Sequence, residues 1–471
     1  MTAQKEKGRF KMPSAFTVLI LIILVIAGVS LVLADPMITK ATLPNVVMAP
    51  ILGFVDAIDV SLFVLVLGGF LGVVNKTGVL YKGIASVVKK LNGRELLLIP
   101  ILMIIFSIGG TTYGMAEETI AFYSLIVATM MTAGFDPLVG ASVILLGAGA
   151  GVLGSTINPF AISVAVDTAK AAGIATNQGV IILLGAILWV TTLAICIWYV
   201  MAYAKKVHNN PEASILSKQE LSEAQNAFNS ESNQGDTTLT TRGKVVLSLF
   251  AFSFLVMIIG LIPWENFGIT FFDSWTAWLT GESFGNWYFK ELAACFFIIA
   301  IVCGLVYRLK EKEIVDSFIA GAGDMIGVAL VIAVSRGIYV IMSDTNLNEY
   351  ILTHSANALN GMHAVPFTVM SYIIYLGLSF LIPSTSGLAT GSIGIFAPLA
   401  QSLNLSPEVM IMIFTAACGL INLITPTSGV VMGGLAISKI DFSSWVKFSL
   451  KIIATILIAN IFILSVAMII F

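Results

Sequence analysis

Residues 109–114 of the chain read GGTTYG and interrupt a long apolar run, and residues 154–159, GSTINP, interrupt the next one. The second half has the same arrangement, with PSTSG at 383–387 and NLITPTSG at 422–429. Gly, Pro, Ser, Thr and Asn break helices and present backbone and hydroxyl groups, which cost free energy inside a membrane unless they line a cavity. Two matched sets of interruptions predict a site built from discontinuous helices, as in secondary transporters.

The composition indicates that the chain folds in a lipid bilayer and not in water. Of the 471 residues, 58% are hydrophobic and 11% are charged, against about 25% charged residues in soluble domains. Many apolar runs approach the roughly 20 residues that span a bilayer. The sequence therefore predicts an all-α polytopic membrane protein, with the first apolar run, after a Lys- and Arg-rich start, expected to be a retained helix.

The pattern along the chain divides it into two comparable halves. The first half, 1–204, is expected to hold scaffold helices at 14–74, a cytoplasmic surface helix at 76–93, a re-entrant hairpin at 95–132, a broken helix at 137–170 and a helix at 179–203. A polar cytoplasmic linker, 205–243, is expected to be partly disordered. Residues 244–288 read as a linking helix and an extracytoplasmic aromatic loop. The second half, 289–471, is expected to hold a hairpin at 364–402, a broken helix at 407–438 and a last helix at 445–471.

Charge predicts that the two halves are inverted repeats. Residues 343–438 contain no Lys or Arg, whereas the matching part of the first half contains the basic surface helix. With the N-terminus in the cytoplasm, only Lys40, Lys170 and Lys290 of the 24 cations lie outside, and Arg336 lies within a span. This asymmetry follows the positive-inside rule. It predicts a cytoplasmic N-terminus, an extracytoplasmic C-terminus and a bacterial inner-membrane location.

Opposed hairpins would bring four helix ends together, where free N–H groups favour an anion and carbonyl and hydroxyl oxygens can bind a small cation. The candidate site residues at the tips and breaks are Thr111, Thr112, Ser155, Asn158, Ser384, Thr385, Ser386, Asn422, Thr425, Thr427 and Ser428. Of these, Ser155, Asn158 and Asn422 are also candidates for binding a coupling ion. The alternative is that these small residues only permit close helix packing.

Three charged residues within apolar segments are further candidates. Glu117 and Glu118 follow the first tip, and intramembrane carboxylates serve as proton carriers, cation ligands or partners of cationic substrates; Glu118 is thus both a substrate-binding and an ion-coupling candidate. The alternative is a structural role, in which one of these two carboxylates caps a helix end in the water-filled cytoplasmic mouth of the hairpin. Arg336 would bind a substrate carboxylate, or neutralise an acid such as Asp324, Asp56 or Asp59. No nucleophile motif, metal-binding His-Glu pair or phosphate loop occurs, so the sequence predicts no enzyme activity, metal or cofactor.

The tip PSTSG at 383–387, the stretch SRGI at 335–338 and the break TPTSG at 425–429 resemble the YfcC-like branch of the four-carbon dicarboxylate anaerobic carrier family, within the ion transporter superfamily. The resemblance covers the whole chain. It implies a homodimer in which a transport domain moves against a scaffold in an elevator mechanism. Sodium-coupled carboxylate carriers of the superfamily have Ser-Asn-Thr at each tip, whereas this chain has GTT at 110–112 and STS at 384–386.

The leading prediction is a secondary transporter, an antiporter or an ion-coupled carrier, of a small carboxylate-bearing metabolite. The preferred substrate is an amino acid, with basic ones such as arginine or ornithine as candidates and Na⁺ or H⁺ as the coupling ion. A four-carbon dicarboxylate is the alternative substrate, and a channel is the alternative class. The predicted partners are the solute, the lipid bilayer and a second copy of the chain, with no nucleic acid.

Overall fold

The structure is a computed structural model. It describes residues 15–80, 82–83, 94–229, 240–262, 264–382 and 384–471, which fold into helices joined by turns and contain no β-strand. Eight helices in this part of the chain are long and apolar enough to cross a membrane. The fold is therefore that of an all-helical, multi-pass membrane protein. Most of the predicted surface helix at 76–93 lies outside the described residues.

The α-helices used below from the described residues of the first half are numbered in chain order. They are α1 Ala15–Val32, α2 Leu43–Asp56, α3 Ile58–Lys76, α4 Leu98–Tyr113, α5 Tyr123–Thr132, α6 Pro137–Leu153, α7 Val164–Ala171 and α8 Gln178–Asn209. A 3₁₀ helix, Glu117–Phe122, precedes α5, and a π-helical turn, Pro159–Ser163, precedes α7. Two helices, α9 Lys218–Asn229 and α10 Thr241–Leu261, connect the halves.

The second half follows the same order of elements. Its helices are α11 Phe289–Tyr307, α12 Glu311–Asp324, α13 Ile326–Asp344, α14 Leu347–Leu359, α15 Ala364–Leu381, α16 Thr385–Ser402, α17 Pro407–Ile421, α18 Gly429–Ile437 and α19 Phe442–Ile470. In each half a bent helix pair is followed by a helical hairpin, two short helices separated by a break, and a long helix.

The bent pairs α2–α3 and α12–α13 pack against each other along their length, α2 on α13 and α3 on α12. Glycine allows their backbones to touch. A Cβ atom at Gly53 would lie 2.3 Å from the Gly337 nitrogen, and one at Gly321 would lie 2.2 Å from the Gly68 oxygen. Helix packing through small residues is typical of membrane proteins.

The hairpins and broken helices pack reciprocally. Helices α4 and α5 pack on α6, and α15 and α16 pack on α17. Beyond each break, the short helix contacts the hairpin of the other half: α7 packs on α16, and α18 packs on α5 and the 3₁₀ helix before it. This exchange brings both hairpin tips to the two breaks.

The linker between the halves is held to the hairpin side of the molecule. Its polar composition predicted partial disorder, but residues 218–229 form α9, whose Ala224 and Phe228 pack on Val127 of α5. The Ser214 hydroxyl donates to Asp136 Oδ2 (2.6 Å) at the start of α6, and Glu220 Oε1 accepts from the Asp441 N–H (3.0 Å) before α19. Hydrogen bonds of polar side chains thus attach this segment to the starts of α6 and α19, although it buries little apolar surface.

Candidate functional site

A cavity of about 170 Å³ lies where the hairpin tips and helix breaks face α3, α11 and α13. One water molecule needs about 10–15 Å³ by a comparable measure, so this space admits a small solute. The polar residues that line the cavity are Glu117, Thr119, Asn158, Ser335, Arg336, Ser384, Thr385, Ser386, Asn422, Thr427 and Ser428. The residues of both halves thus form one site.

Two α-helices, α16 and α18, and the π-helical turn Pro159–Ser163 begin at the cavity, each with a polar cap. The Ser384 hydroxyl accepts from the Gly387 N–H (3.1 Å) at the start of α16, and the Ser428 hydroxyl accepts from the Val431 N–H (3.4 Å) at the start of α18. Asn158 Oδ1 accepts from the Phe160 N–H (2.9 Å) in the turn that leads into α7. The N-terminal ends of helices carry partial positive charge and free N–H groups, so the arrangement favours an anion in the cavity.

Two ionisable residues of opposite charge line the same space. Arg336 comes from α13, and its Nε lies 3.8 Å from Oδ2 of Asp56, which is half-exposed. Glu117 comes from the first hairpin tip and lines the cavity together with Arg336. One wall of the cavity therefore attracts an anionic group while the tip attracts a cationic group.

The first hairpin turns at Gly114, later than the glycine pair in its sequence indicates. Helix α4 continues through Gly109, Gly110, Thr111 and Thr112 to Tyr113, and Gly114 takes φ of 80°, the left-handed conformation that favours glycine. A Cβ atom at Gly110 would lie 2.2 Å from the Ala148 oxygen of α6. The glycine pair therefore packs the hairpin on the broken helix, and the tip is formed by residues 114–117.

Five of the predicted residues lie outside the cavity lining. The Thr111 hydroxyl donates to the Gly154 oxygen (2.7 Å), and that of Thr112 donates to the Ile108 oxygen (2.6 Å). Ser155 accepts from Asn158 Nδ2 (2.9 Å), and the hydroxyls of Thr425 and Thr427 are 2.7 Å apart. Glu118 is 2% exposed and faces away from the lining. Thr111, Ser155 and Thr425 thus hold the unwound segments in shape.

The other predicted residues are brought together at the cavity. These are Glu117, Asn158, Arg336, Ser384, Thr385, Ser386, Asn422, Thr427 and Ser428. Sequence reasoning missed Thr119 and Ser335, although each lies next to or within two residues of a predicted charged residue. It also missed the apolar wall, where Phe160 stacks on Phe289 with ring centroids 5.8 Å apart and planes at 17°. Isolated phenylalanines in apolar runs carry no such signal.

Metal-ligand side chains do not cluster in the part of the chain that the structure describes: no group of three His, Cys, Asp or Glu residues is close enough there to hold an ion. The polar groups of the cavity are instead hydroxyls, amides, backbone N–H groups and the side chains of Arg336 and Glu117.

Residues 34–469 match the family described as C4-dicarboxylate anaerobic carrier. The chain belongs to this family. A carrier whose described residues include eight helices long and apolar enough to span a bilayer is a membrane transporter.

Two relatives resemble this carrier over most of its length. An uncharacterised protein of Haemophilus influenzae is 31% identical over 415 residues, which cover 88% of this chain and 76% of that protein. YfcC of Escherichia coli K12, named as a proposed basic amino acid antiporter, is 29% identical over 419 residues, covering 86% and 76%.

Two solved transporter structures resemble the carrier more distantly. The YdaH transporter of Alcanivorax borkumensis has a TM-score of 0.46 at 15% identity, covering 96% of this chain and 98% of its own. MtrF of Neisseria gonorrhoeae, described within a class of antimetabolite efflux pumps, has a TM-score of 0.47 at 17% identity, covering 98% and 96%. At this level of likeness neither structure bears on the solute of this carrier.

Proposed function

We propose that this protein is a secondary active transporter of a small carboxylate-bearing metabolite, and that the solute is an amino acid. The proposal rests on one observation: Arg336, the capped starts of α16, α18 and the π-helical turn, and Glu117 face a single cavity. A zwitterion presents one anionic and one cationic group, and both are matched here. The four-carbon dicarboxylate of the family name is the alternative.

The carboxylate of the solute would bind between Arg336 and the starts of α16 and α18. Arg336 has five N–H donors, and its contact with Asp56 is a single, long one. The Ser428 cap and the N–H groups behind it supply further donors. A carboxylate in this position would lose its hydrogen bonds to water and gain charge-assisted hydrogen bonds from Arg336 and the helix N–H groups.

The ammonium group of the solute would bind Glu117. A second carboxylate in that position would meet a like charge, which is why we favour an amino acid over a dicarboxylate. The stacked Phe160 and Phe289 offer an aromatic surface for the aliphatic stem or guanidinium of a basic side chain. Arginine and ornithine are therefore the first solutes to test, and the name of the relative YfcC supports the same choice.

We further propose that the two halves are inverted repeats and that transport follows an elevator mechanism. Two features support this. The order of elements recurs in the second half, and each broken helix packs on the hairpin of the other half. Val60, Phe289 and Arg336 would belong to a scaffold and the tips and breaks to a moving domain, so the cavity lies on the sliding surface.

The remaining features of the proposal follow from charge and resemblance. The distribution of Lys and Arg supports a cytoplasmic N-terminus and an extracytoplasmic C-terminus, in a bacterial inner membrane. The protein would act as a homodimer, exchanging its solute or coupling its movement to Na⁺ or H⁺. A channel would need a continuous polar pore, whereas the polar groups described above surround a single cavity.

Counterflow in proteoliposomes tests the proposal. Vesicles loaded with unlabelled arginine, ornithine or succinate receive the same labelled solute outside, and a carrier accumulates label transiently. We expect counterflow with a basic amino acid and its loss in Arg336→Gln. Counterflow with succinate alone would replace the amino acid by the dicarboxylate. Uptake that never exceeds equilibrium, with a steady current, would establish a channel and refute the carrier.

A further inference from the structure

We propose that Glu118 carries a proton that is exchanged for the cationic solute bound at Glu117. This inference rests on the proposed transport function and names its coupling ion. It starts from a buried carboxyl group that the solute site does not use.

Glu118 lies directly behind the cavity wall. It occupies the 3₁₀ helix Glu117–Phe122, in which consecutive side chains point in different directions, so Glu117 and Thr119 line the cavity while Glu118 faces inward. It is 2% exposed. Its Oε2 accepts one hydrogen bond, from the Ala116 N–H at 3.1 Å, and Ala116 itself lines the cavity. The carboxyl group is therefore one hydrogen bond away from the solute space.

No cation offsets the charge of Glu118 among the described residues. Their ion pairs are Lys290 with Asp59 and Arg336 with Asp56. Arg336 lines the same cavity as Glu117, and Glu117 is the chain neighbour of Glu118 and carries a like charge. A second carboxylate beside an ionised one, in a buried site, is the arrangement in which one of the two holds a proton.

The elements packed around the 3₁₀ helix supply no other compensating charge. Helices α6 and α18 contain no charged residue. Helix α3 contributes Asp59, which Lys290 pairs at 3.3 Å, and Lys76 at its far end. Tyr113 of α4 and Tyr123 of α5 are buried phenols. An ionised Glu118 would thus depend on backbone N–H groups alone, which is a costly state inside a membrane.

A cationic solute changes this balance. When its ammonium or guanidinium group approaches Glu117, the added positive charge stabilises a second carboxylate. The O–H bond of Glu118 then breaks, and the proton passes to water on the open side of the cavity. When the solute leaves on the other side, Glu118 takes a proton from water there. One cation and one proton cross in opposite directions, so the net charge moved is zero.

The structural alternative is that Glu118 only caps the turn at residues 114–116 through the Ala116 N–H. A cap keeps the hairpin in shape and has no effect on proton movement. The two roles therefore separate in a measurement that follows protons and solute together.

The experiment uses the full-length protein in sodium-free proteoliposomes containing a pH-sensitive dye. For the wild type in vesicles that contain no solute, we expect net entry of labelled arginine or ornithine to drive proton exit. In Glu118→Gln proton exit should cease, while counterflow in solute-loaded vesicles persists. Glu118→Asp, which keeps the carboxyl group, should restore proton exit. Glu349→Gln, at an exposed position of α14, is the matched control.

Two results overturn the proposal alone: net uptake of a basic amino acid by the wild type into solute-free vesicles without proton exit, or proton exit that persists in Glu118→Gln. The first of these overturns it even if the Gln variant fails to fold. Absence of counterflow by any amino acid or dicarboxylate would instead refute the proposed transport function, and the coupling with it.

Discussion

Arg336 on α13 lies beside Asp56 on α2, with 3.8 Å between Arg336 Nε and Asp56 Oδ2. The arginine is 22% exposed and faces the cavity, whereas the aspartate is 46% exposed and lies outside the lining. A long, hydrated pair of this kind is weak. Asp56 therefore holds the guanidinium loosely and would compete with a solute carboxylate for it.

Removing the competing carboxylate should strengthen solute binding. In Asp56→Asn the guanidinium of Arg336 has no counter-ion, and an exposed pair contributes at most about 1 kcal/mol, so we expect KM for counterflow to fall by up to about fivefold. Asp59→Asn is the control, because Asp59 pairs with Lys290 instead. A KM that rises in Asp56→Asn would show that Asp56 orients Arg336 for binding.

Glu117 should be required for cationic solutes only. Truncating one member of a buried charge pair costs about 2–5 kcal/mol, so Glu117→Gln should weaken uptake of arginine or ornithine by at least about thirtyfold. Binding of succinate, followed by thermal shift, should not weaken. Glu349→Gln should match the wild type in both measurements. Equal uptake of arginine by Glu117→Gln and the wild type would remove Glu117 from the solute site.

The contact between the first hairpin and α6 should not tolerate a methyl group. A Cβ atom at Gly151 would lie 2.0 Å from the Ser107 oxygen, so Gly151→Ala should destabilise the protein by about 1–3 kcal/mol. Gly377→Ala is the matched control, because nothing lies within 4 Å of its Cβ position in α15. Melting of the two variants in detergent, followed by tryptophan fluorescence, measures the difference. Equal melting temperatures would contradict the close approach.

The attachment of the linker should depend on pH through Glu220. Burial alone would raise the pKa of this carboxyl group, but hydrogen bonds from Ser217, the Asp441 N–H and Ser444 outweigh burial and lower the pKa below its ordinary value of 4.5. A lowered pKa means that the ionised group stabilises the fold above that pH and that the stabilisation is lost as pH falls through the folded pKa.

Glu220→Gln should therefore melt at a lower temperature than the wild type at pH 7, by the equivalent of about 1.5–3 kcal/mol for hydrogen bonds to a charged group. The gap should close in acid. Glu223→Gln, exposed on the same helix, is the control. A gap that is constant from neutral to acid pH would show that the charge of Glu220 plays no part in docking the linker.

The helical class of the fold and most of the polar cavity residues followed from the sequence, because an interrupted apolar run can be buried in a membrane in only a few ways. Ser384 was predicted at a hairpin tip and Ser428 at a helix break, and each is the N-cap of a helix. The first tip was placed too early. Gly109 and Gly110 look the same in sequence whether they break a helix or bring two helices together, and only the packing on α6 distinguishes the two.

The different positions of Glu117 and Glu118 were also beyond the sequence. Neighbouring carboxylates at a helix start are equivalent until the type of helix and its rotation are known. The 3₁₀ helix turns one toward the cavity and the other into the protein. The aromatic wall depends in the same way on how Phe160 and Phe289, far apart in sequence, meet in space.

The backbone contact of Gly53 with Gly337 has a consequence for solute size. Gly337 directly follows Arg336 in the chain, so the place where α2 and α13 touch also sets how far the guanidinium stands from the hairpin tip opposite. Gly53 and Gly337 lie outside the cavity lining, yet the absence of a side chain at both positions would then determine how long a solute fits. Enlarging either glycine would push the two helices apart and move Arg336 relative to the tip, with a loss of stability of the kind expected for Gly151→Ala.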